Sequence, residues 1–161
     1  GKFTNKPITI MEITSPQFKN NESIPSKFTC DGENINPELN IKDIPKGTKS
    51  LALIMDDPDI PDSVKENLGI EEFEHWNLFN IGADVTAIKE NTAPGIEGKH
   101  SGGGVGYTGP CPPDGEHRYF FKLFALDADI DLSGDADKAA LEEAMSGHVL
   151  DKAELMGLYS R

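Results

Sequence analysis

Ser50-Leu51-Ala52-Leu53-Ile54-Met55-Asp56 runs straight into Asp57-Pro58-Asp59-Ile60-Pro61, an apolar segment opening onto an acidic loop fixed by prolines. Leu51 to Met55 is the longest wholly apolar run and has the length of a strand buried on both faces, far short of the ~20 residues a membrane-crossing helix needs. The prolines around Asp59 hold φ near −65°, so the acidic loop that follows loses little entropy when it keeps one shape. A central strand opening into a rigid loop is the expected local structure.

Working outward, His75-Trp76-Asn77-Leu78-Phe79-Asn80-Ile81 is rich in aromatic and branched residues and reads as a second strand. Tyr119 to Leu126 reads as a third, Ile8 to Ile13 alternates as a strand with one buried face, and a short final strand spans about Lys152 to Tyr159. From Ser15 to Lys49 the chain is broken by Pro16, Pro25, Gly32, Pro37, Pro45 and Gly47, which permits short strands but no helix of useful length. Residues 62 to 74 are polar and acidic and predict a short helical or irregular excursion. Residues 91 to 117 form a long loop rich in glycine and proline, of the kind that carries function when it is ordered. Leu141, Ala144/Met145 and His148/Val149 recur at helical spacing near the C-terminus. No repeat or composition break divides the chain. The expectation is one domain over residues 1–161, a mostly β, two-sheet antiparallel sandwich with one or two short helices, one of them near the C-terminus.

Charge narrows the partners. With 15 Lys and Arg against 28 Asp and Glu in 161 residues, the net charge of −13 repels polyanions and leaves no basic stripe for nucleic acid. Anionic membrane surfaces are disfavoured for the same reason. No membrane span is expected. The expected compartment is the cytoplasm, with periplasm or secretion open if a leader was removed ahead of Gly1. A homodimer stays open. Cys30 and Cys111 lack the C-x-x-C spacing of zinc or thioredoxin-like sites, and their turn-rich surroundings allow either two free thiols or one bridge.

Three polar clusters fall at strand ends or in loops: Asp57-Pro58-Asp59-Ile60-Pro61, Glu74-His75-Trp76 and Gly115-Glu116-His117-Arg118-Tyr119. Read singly, Asp57 and Asp59 are turn formers, His75 is a structural histidine and Trp76 is core. Read together, Asp57 could hold His75 or His117 in the doubly donating, charged form, and a loop ending in Gly115 could expose backbone N–H groups to an anion. Ser101-Gly102-Gly103-Gly104-Val105-Gly106 lacks the spacing of a phosphate-binding loop, and Lys99 stands where a hydrolase elbow around Ser101 would need glycine. His75, His117 and Asp57 could alternatively form a facial metal set. A hydrolase or metal-assisted enzyme using His117 and Asp57 is the competing class, with Cys111 as the nearest candidate nucleophile. A purely structural module is a third reading, and it requires those side chains to be buried with no open cavity.

The clusters, in this order, resemble the phosphatidylethanolamine-binding protein family, also called Raf-kinase-inhibitor-like, and especially its bacterial and archaeal branch. Phe28-Thr29-Cys30-Asp31-Gly32-Glu33-Asn34-Ile35-Asn36-Pro37-Glu38-Leu39 is similar to the family's opening loop, and Asp57-Pro58-Asp59-Ile60-Pro61 to its Asp-Pro-Asp-x-Pro signature. His75-Trp76 through Asn80-Ile81 resembles its central strand, and Gly106 to Pro113 followed by Gly115-Glu116-His117-Arg118-Tyr119 its second signature. Gly157-Leu158-Tyr159-Ser160-Arg161 resembles the bacterial C-terminus.

The resemblance implies a non-catalytic binding or regulatory module, with no metal and no cofactor. Its small pocket would take phosphate, a phospholipid head group or a phosphorylated residue, and its partner would be a kinase or protease that it modulates. The implied ligand-binding residues are Asp57, Asp59, His75, Pro110, His117 and Tyr119, supported by Pro58, Pro61, Trp76, Gly115 and Arg118, with Arg118 expected to pair with Asp59. The chain departs from the family pattern at Asn36, where serine is common, at Ile60, which would narrow the pocket mouth, and in the excursion from Pro61 to Glu74, which would cover the rim or form a partner surface.

Overall fold

The computed structural model describes residues 9–161. Strand β4 (Ser50–Asp57) is buried along its whole length. It lies between β5 (Phe73–Gly82) and β8 (Glu116–Leu126), antiparallel to both. Strand β9 (Val149–Ser160) continues the sheet beyond β8, and β7 (Ile96–Glu97) extends it beyond β5. The two-residue β2 (Glu22–Ser23) closes the other edge by pairing parallel with β9. The large sheet of six strands is therefore mixed, not purely antiparallel. This departure comes from a short crossover segment, held by Asn21 N–H to Met156 O and Ile24 N–H to Leu158 O, that no alternation in the sequence marks.

A second sheet of three strands, β1 (Glu12–Thr14), β3 (Leu39–Lys42) and β6 (Ala87–Ile88), packs on one face of the first. Ile13, Leu39, Ile41 and Ile88 meet Leu51, Leu53, Met55, Trp76, Leu78, Phe121 and Leu123 in one continuous apolar cluster. The predicted strand from Ile8 begins only at Glu12, and Ile8 itself lies outside the described residues. On the opposite face, Ala52, Ile54 and Phe79 are covered by Leu141 and Met145 of helix α2 (Lys138–Met145). Alternate residues of one strand thus feed two different cores, which is why the run from Leu51 to Met55 shows no polar position.

Helix α2 starts at Asp137, whose side chain accepts the Ala140 N–H. It stops at Met145, so the predicted helical positions at His148 and Val149 are instead a turn and the start of β9. Gly147, at φ 81°, takes the left-handed conformation that ends the helix there. A second, seven-residue helix, α1 (Asp62–Leu68), fills the acidic excursion.

Strand β5 is irregular at two places, and both matter for what it presents. Between the pairs Leu51–Ile81 and Leu53–Leu78 it carries one extra residue, with Asn80 at φ 52°. The Asn80 side chain compensates this conformation by bonding both Ile130 N–H (2.7 Å) and Ile130 O (2.8 Å). Asn80→Ala would leave both backbone groups unpaired and an alanine in the left-handed region, with an expected cost of about 2–4 kcal/mol. Chemical denaturation should show a lower midpoint with an unchanged slope.

Candidate functional site

The second irregularity builds the site. Met55 pairs with Trp76 and Asp56 with Glu74, so His75 is an extra residue in β5. In a regular strand His75 and Trp76 would face opposite sides. The bulge turns both toward the side facing the small sheet, Trp76 into the core and His75 toward the strand end. There β4 ends in Asp57 and β8 begins with His117 and Tyr119, which share one face because they are two residues apart.

These side chains line a cavity of about 220 Å³ with Ile60, Pro61, Val64, Phe73, Thr108, Gly109, Cys111, Pro112 and Pro113. The purely structural reading expected no open cavity at this point. Of the side chains implied by sequence, Asp57, His75, His117, Tyr119 and Pro61 line it, and the others do not. Asp59 lies outside the wall, where its two oxygens accept the Arg118 backbone N–H (2.9 Å), Nε–H (2.8 Å) and Nη2–H (2.8 Å). Pro110 is buried behind the wall, and its carbonyl accepts the Cys30 N–H. Trp76 is core, its Nε1–H donating to Glu97 Oε2 at 2.8 Å. Gly115 is an exposed turn at φ 67°, and Pro58 is likewise outside the lining. Val64, Phe73 and Thr108 were missed. The first two sit in the excursion from Pro61 to Glu74, expected to cover the rim or form a partner surface, and Thr108 acts through its backbone.

Asp57 Oδ2 and His117 Nδ1 lie 2.7 Å apart, both residues almost fully buried. The other oxygen, Oδ1, accepts the Asp59 N–H at 2.7 Å, so the carboxyl is held on both sides. Burial pushes the Asp57 pKa up, and the His117 hydrogen bond opposes that rise.

His75 is held differently. Its Nδ1 donates to Thr108 O at 2.7 Å, and its ring packs between Phe73 (4.8 Å between centroids) and Tyr119 (5.3 Å). Burial lowers its pKa to about 4 despite that carbonyl. Of the two histidines that Asp57 could hold, the carboxyl is bonded to His117, while burial favours the neutral form of His75. Among the described residues no group of three or more His, Cys, Asp or Glu is placed to hold a metal ion.

The wall beside His75 is set by a close approach of two loops. Gly109 N–H donates to Asn34 Oδ1 (2.8 Å) and Tyr107 Oη–H to Phe28 O (2.7 Å). A Cβ on Gly109 would run into Phe28 O, Asn34 Oδ1 and Thr29 Cα, so only glycine fits. Cys30 and Cys111 form a disulfide across this seam, answering the question the sequence left open. Cys111 is consequently not a free nucleophile. The C-terminus braces the same seam, with Arg161 Nη2 3.3 Å from Asp31 Oδ1 and Tyr159 Oη–H donating to Asp31 Oδ2 at 2.5 Å.

Comparison with known proteins identifies relatives of this chain. A family model described as phosphatidylethanolamine-binding protein matches residues 14–160. The chain belongs to the phosphatidylethanolamine-binding protein family. It is 46% identical over 158 residues to a UPF0098 protein of Methanothermobacter thermautotrophicus, covering 94% of this chain and 99% of that one. A crystal structure of a phosphatidylethanolamine-binding protein homologue from Chlamydia trachomatis superposes with TM-score 0.89 at 39% identity, over 94% of this chain and 98% of that one. The Escherichia coli protein YbcL, described as a member of the mammalian family, superposes with TM-score 0.84 at 26% identity, over 95% and 99% of the two chains. Among the described residues no helix is long and apolar enough to cross a membrane.

Two outcomes follow from the site's construction. Above pH 6.5 His75 is neutral in folded and unfolded chains alike, and between pH 6.5 and about 4 only the unfolded chain takes the proton. Stability is thus lost as pH falls through that window. Wild type should lose about 2–3 kcal/mol more than His75→Gln between pH 7 and 4.5, measured by denaturant unfolding at each pH. Reducing the disulfide should cost about 2–4 kcal/mol, read as a lower midpoint in guanidinium with reductant, because a bridge spanning 81 positions restricts the unfolded chain strongly.

Proposed function

We propose that this chain is a non-catalytic binding module whose cavity accepts a small anionic group: a phosphate, a phospholipid head group or a phosphorylated side chain. The observation that carries the reading is the buried Asp57–His117 pair at 2.7 Å in the wall of a mostly apolar cavity. With Nδ1 engaged by Asp57, the ring has one polar atom left, Nε2, and no partner for it occurs among the described residues. When the pair carries one proton between its members and a second on Nε2, it is net neutral and offers Nε2–H to a ligand. An anion stabilises that state over the deprotonated one.

A carboxylate–imidazole pair can also act as a general base. With Cys111 in a disulfide, the thiol that the enzyme reading offered as its nucleophile is not free. A regulatory role toward a kinase or protease would work through a partner that presents such an anionic group. The acidic balance of the chain favours an isolated, well-seated anion over a charged membrane surface.

Titration with inorganic phosphate should move the ring resonances of His75 and His117 in NMR spectra, and His117→Gln should weaken the response at least about tenfold, the loss of one charge-assisted hydrogen bond. Absence of movement with phosphate, acetate and sulfate alike would count decisively against the reading.

A further inference from the structure

The two histidines of the cavity are not equivalent. Each has Nδ1 engaged, His117 by the Asp57 carboxyl and His75 by the Thr108 carbonyl, both at 2.7 Å. A carbonyl oxygen can only accept, so the proton between His75 and Thr108 belongs to His75 Nδ1 and the neutral ring has its lone pair on Nε2. Although the Gly109 backbone also approaches the ring, that nitrogen has no hydrogen-bond partner of ordinary geometry among the described residues. Yet it is not among the fully enclosed, unpartnered polar atoms, which among the described residues are only Asp56 Oδ1 and Asn77 Oδ1. In a residue 6% exposed that lines the cavity, the accessible Nε2 opens into that space. The same reasoning places His117 Nε2 and Tyr119 Oη at the cavity surface. One wall therefore offers a donor and the other a bare acceptor, with a hydroxyl able to serve either way.

We propose that His75 makes the cavity selective for an anion that still carries a proton, a monoprotonated phosphate monoester or hydrogen phosphate, over anions that have none to give. The proposal rests on the anion-binding reading above and narrows it. A monoprotonated phosphoryl group accepts from His117 Nε2–H through one oxygen and donates its P–OH to His75 Nε2 through another. Sulfate and a phosphodiester, which have no such proton near neutral pH, must press an oxygen lone pair against the His75 lone pair. The alternative is to protonate His75, and the surroundings of that ring oppose it. Its sides are Phe73 and Tyr119, the charges facing it from β8 and from the loop after β7 are the imidazoles His117 and His100, and the carboxyl of Asp57 on β4 is bonded to His117. Phospholipid head groups are diesters and fall on the rejected side. The apolar part of the lining, with Ile60, Val64, Phe73, Pro112 and Pro113, suits the carbon substituent of a monoester.

The test is a series of probes by calorimetry on the full chain at constant ionic strength from pH 5.5 to 8: ethyl phosphate, inorganic phosphate, dimethyl phosphate and sulfate. Ethyl phosphate should bind at least about tenfold more tightly than dimethyl phosphate or sulfate at pH 6. Its affinity should fall about 50-fold from pH 6 to pH 8 as its second proton, with a pKa of about 6, is lost. Comparison of ethyl with inorganic phosphate separates a monoester from free phosphate as the preferred source. In His75→Gln the amide N–H supplies a donor where the lone pair stood, and the preference of ethyl phosphate over sulfate should collapse to about onefold while sulfate still binds. Equal affinity of wild type for all four probes would overturn the selectivity and leave the anion site standing. Failure of every probe to bind would overturn both. If His75→Gln does not fold, the wild-type probe series and its pH profile decide alone.

Discussion

The hydrogen bond between Asp57 and His117 joins the last residue of β4 to the second residue of β8, inside a region almost closed to water. Everything else about the cavity is arranged around that pair. Unpaired, either group would bear the full penalty of burying a polar or charged side chain. Paired, the two can exist as a neutral unit. The prolines of the loop after Asp57 and the bidentate clamp of Asp59 on Arg118 keep the carboxyl pointing at the ring. Arg118 thus works at one remove: it neutralises the loop's second carboxylate and locks the start of β8, and it contributes no charge to the cavity itself.

The second constraint is geometric. A strand delivers alternate side chains to alternate faces, and a core tryptophan followed by regular pairing would have sent His75 to the wrong side of the sheet. The extra residue in β5 resolves this, at the level of backbone register, by turning both His75 and Trp76 inward. The seam between the loops holding Cys30 and Cys111 then supplies the Thr108 carbonyl that fixes the ring. Fold and site are consequently inseparable here, since loosening that seam removes the partner that sets which nitrogen of His75 carries the proton.

Much of the fold was legible from apolar runs. The segments around Leu53, Leu78 and Leu123 are dense enough to read as strands of a layered β structure, and Asp57 and His117 were legible from two signatures in register, with His75 from the strand between them. Other features depend on contacts the sequence does not display. The parallel pairing of β2 rests on two backbone bonds, and the early end of α2 rests on Gly147 where Val149 still matches helical spacing. Pro110 and Asp59 were expected at the pocket because of their neighbours along the chain, and they turned away because one supports a loop and the other holds an arginine. The role of Thr108 belongs to a carbonyl, which every residue type possesses, so no residue pattern announces it.

Which nitrogen of each imidazole is free decides what the cavity can hold. Long-range proton–nitrogen NMR spectra of the two rings at pH 6.5 report this directly. His75 should show the neutral Nδ1–H tautomer with an unprotonated Nε2, and His117 should show a protonated Nε2 once phosphate is added. A His75 ring protonated at both nitrogens at that pH, or neutral with its proton on Nε2, would contradict the account.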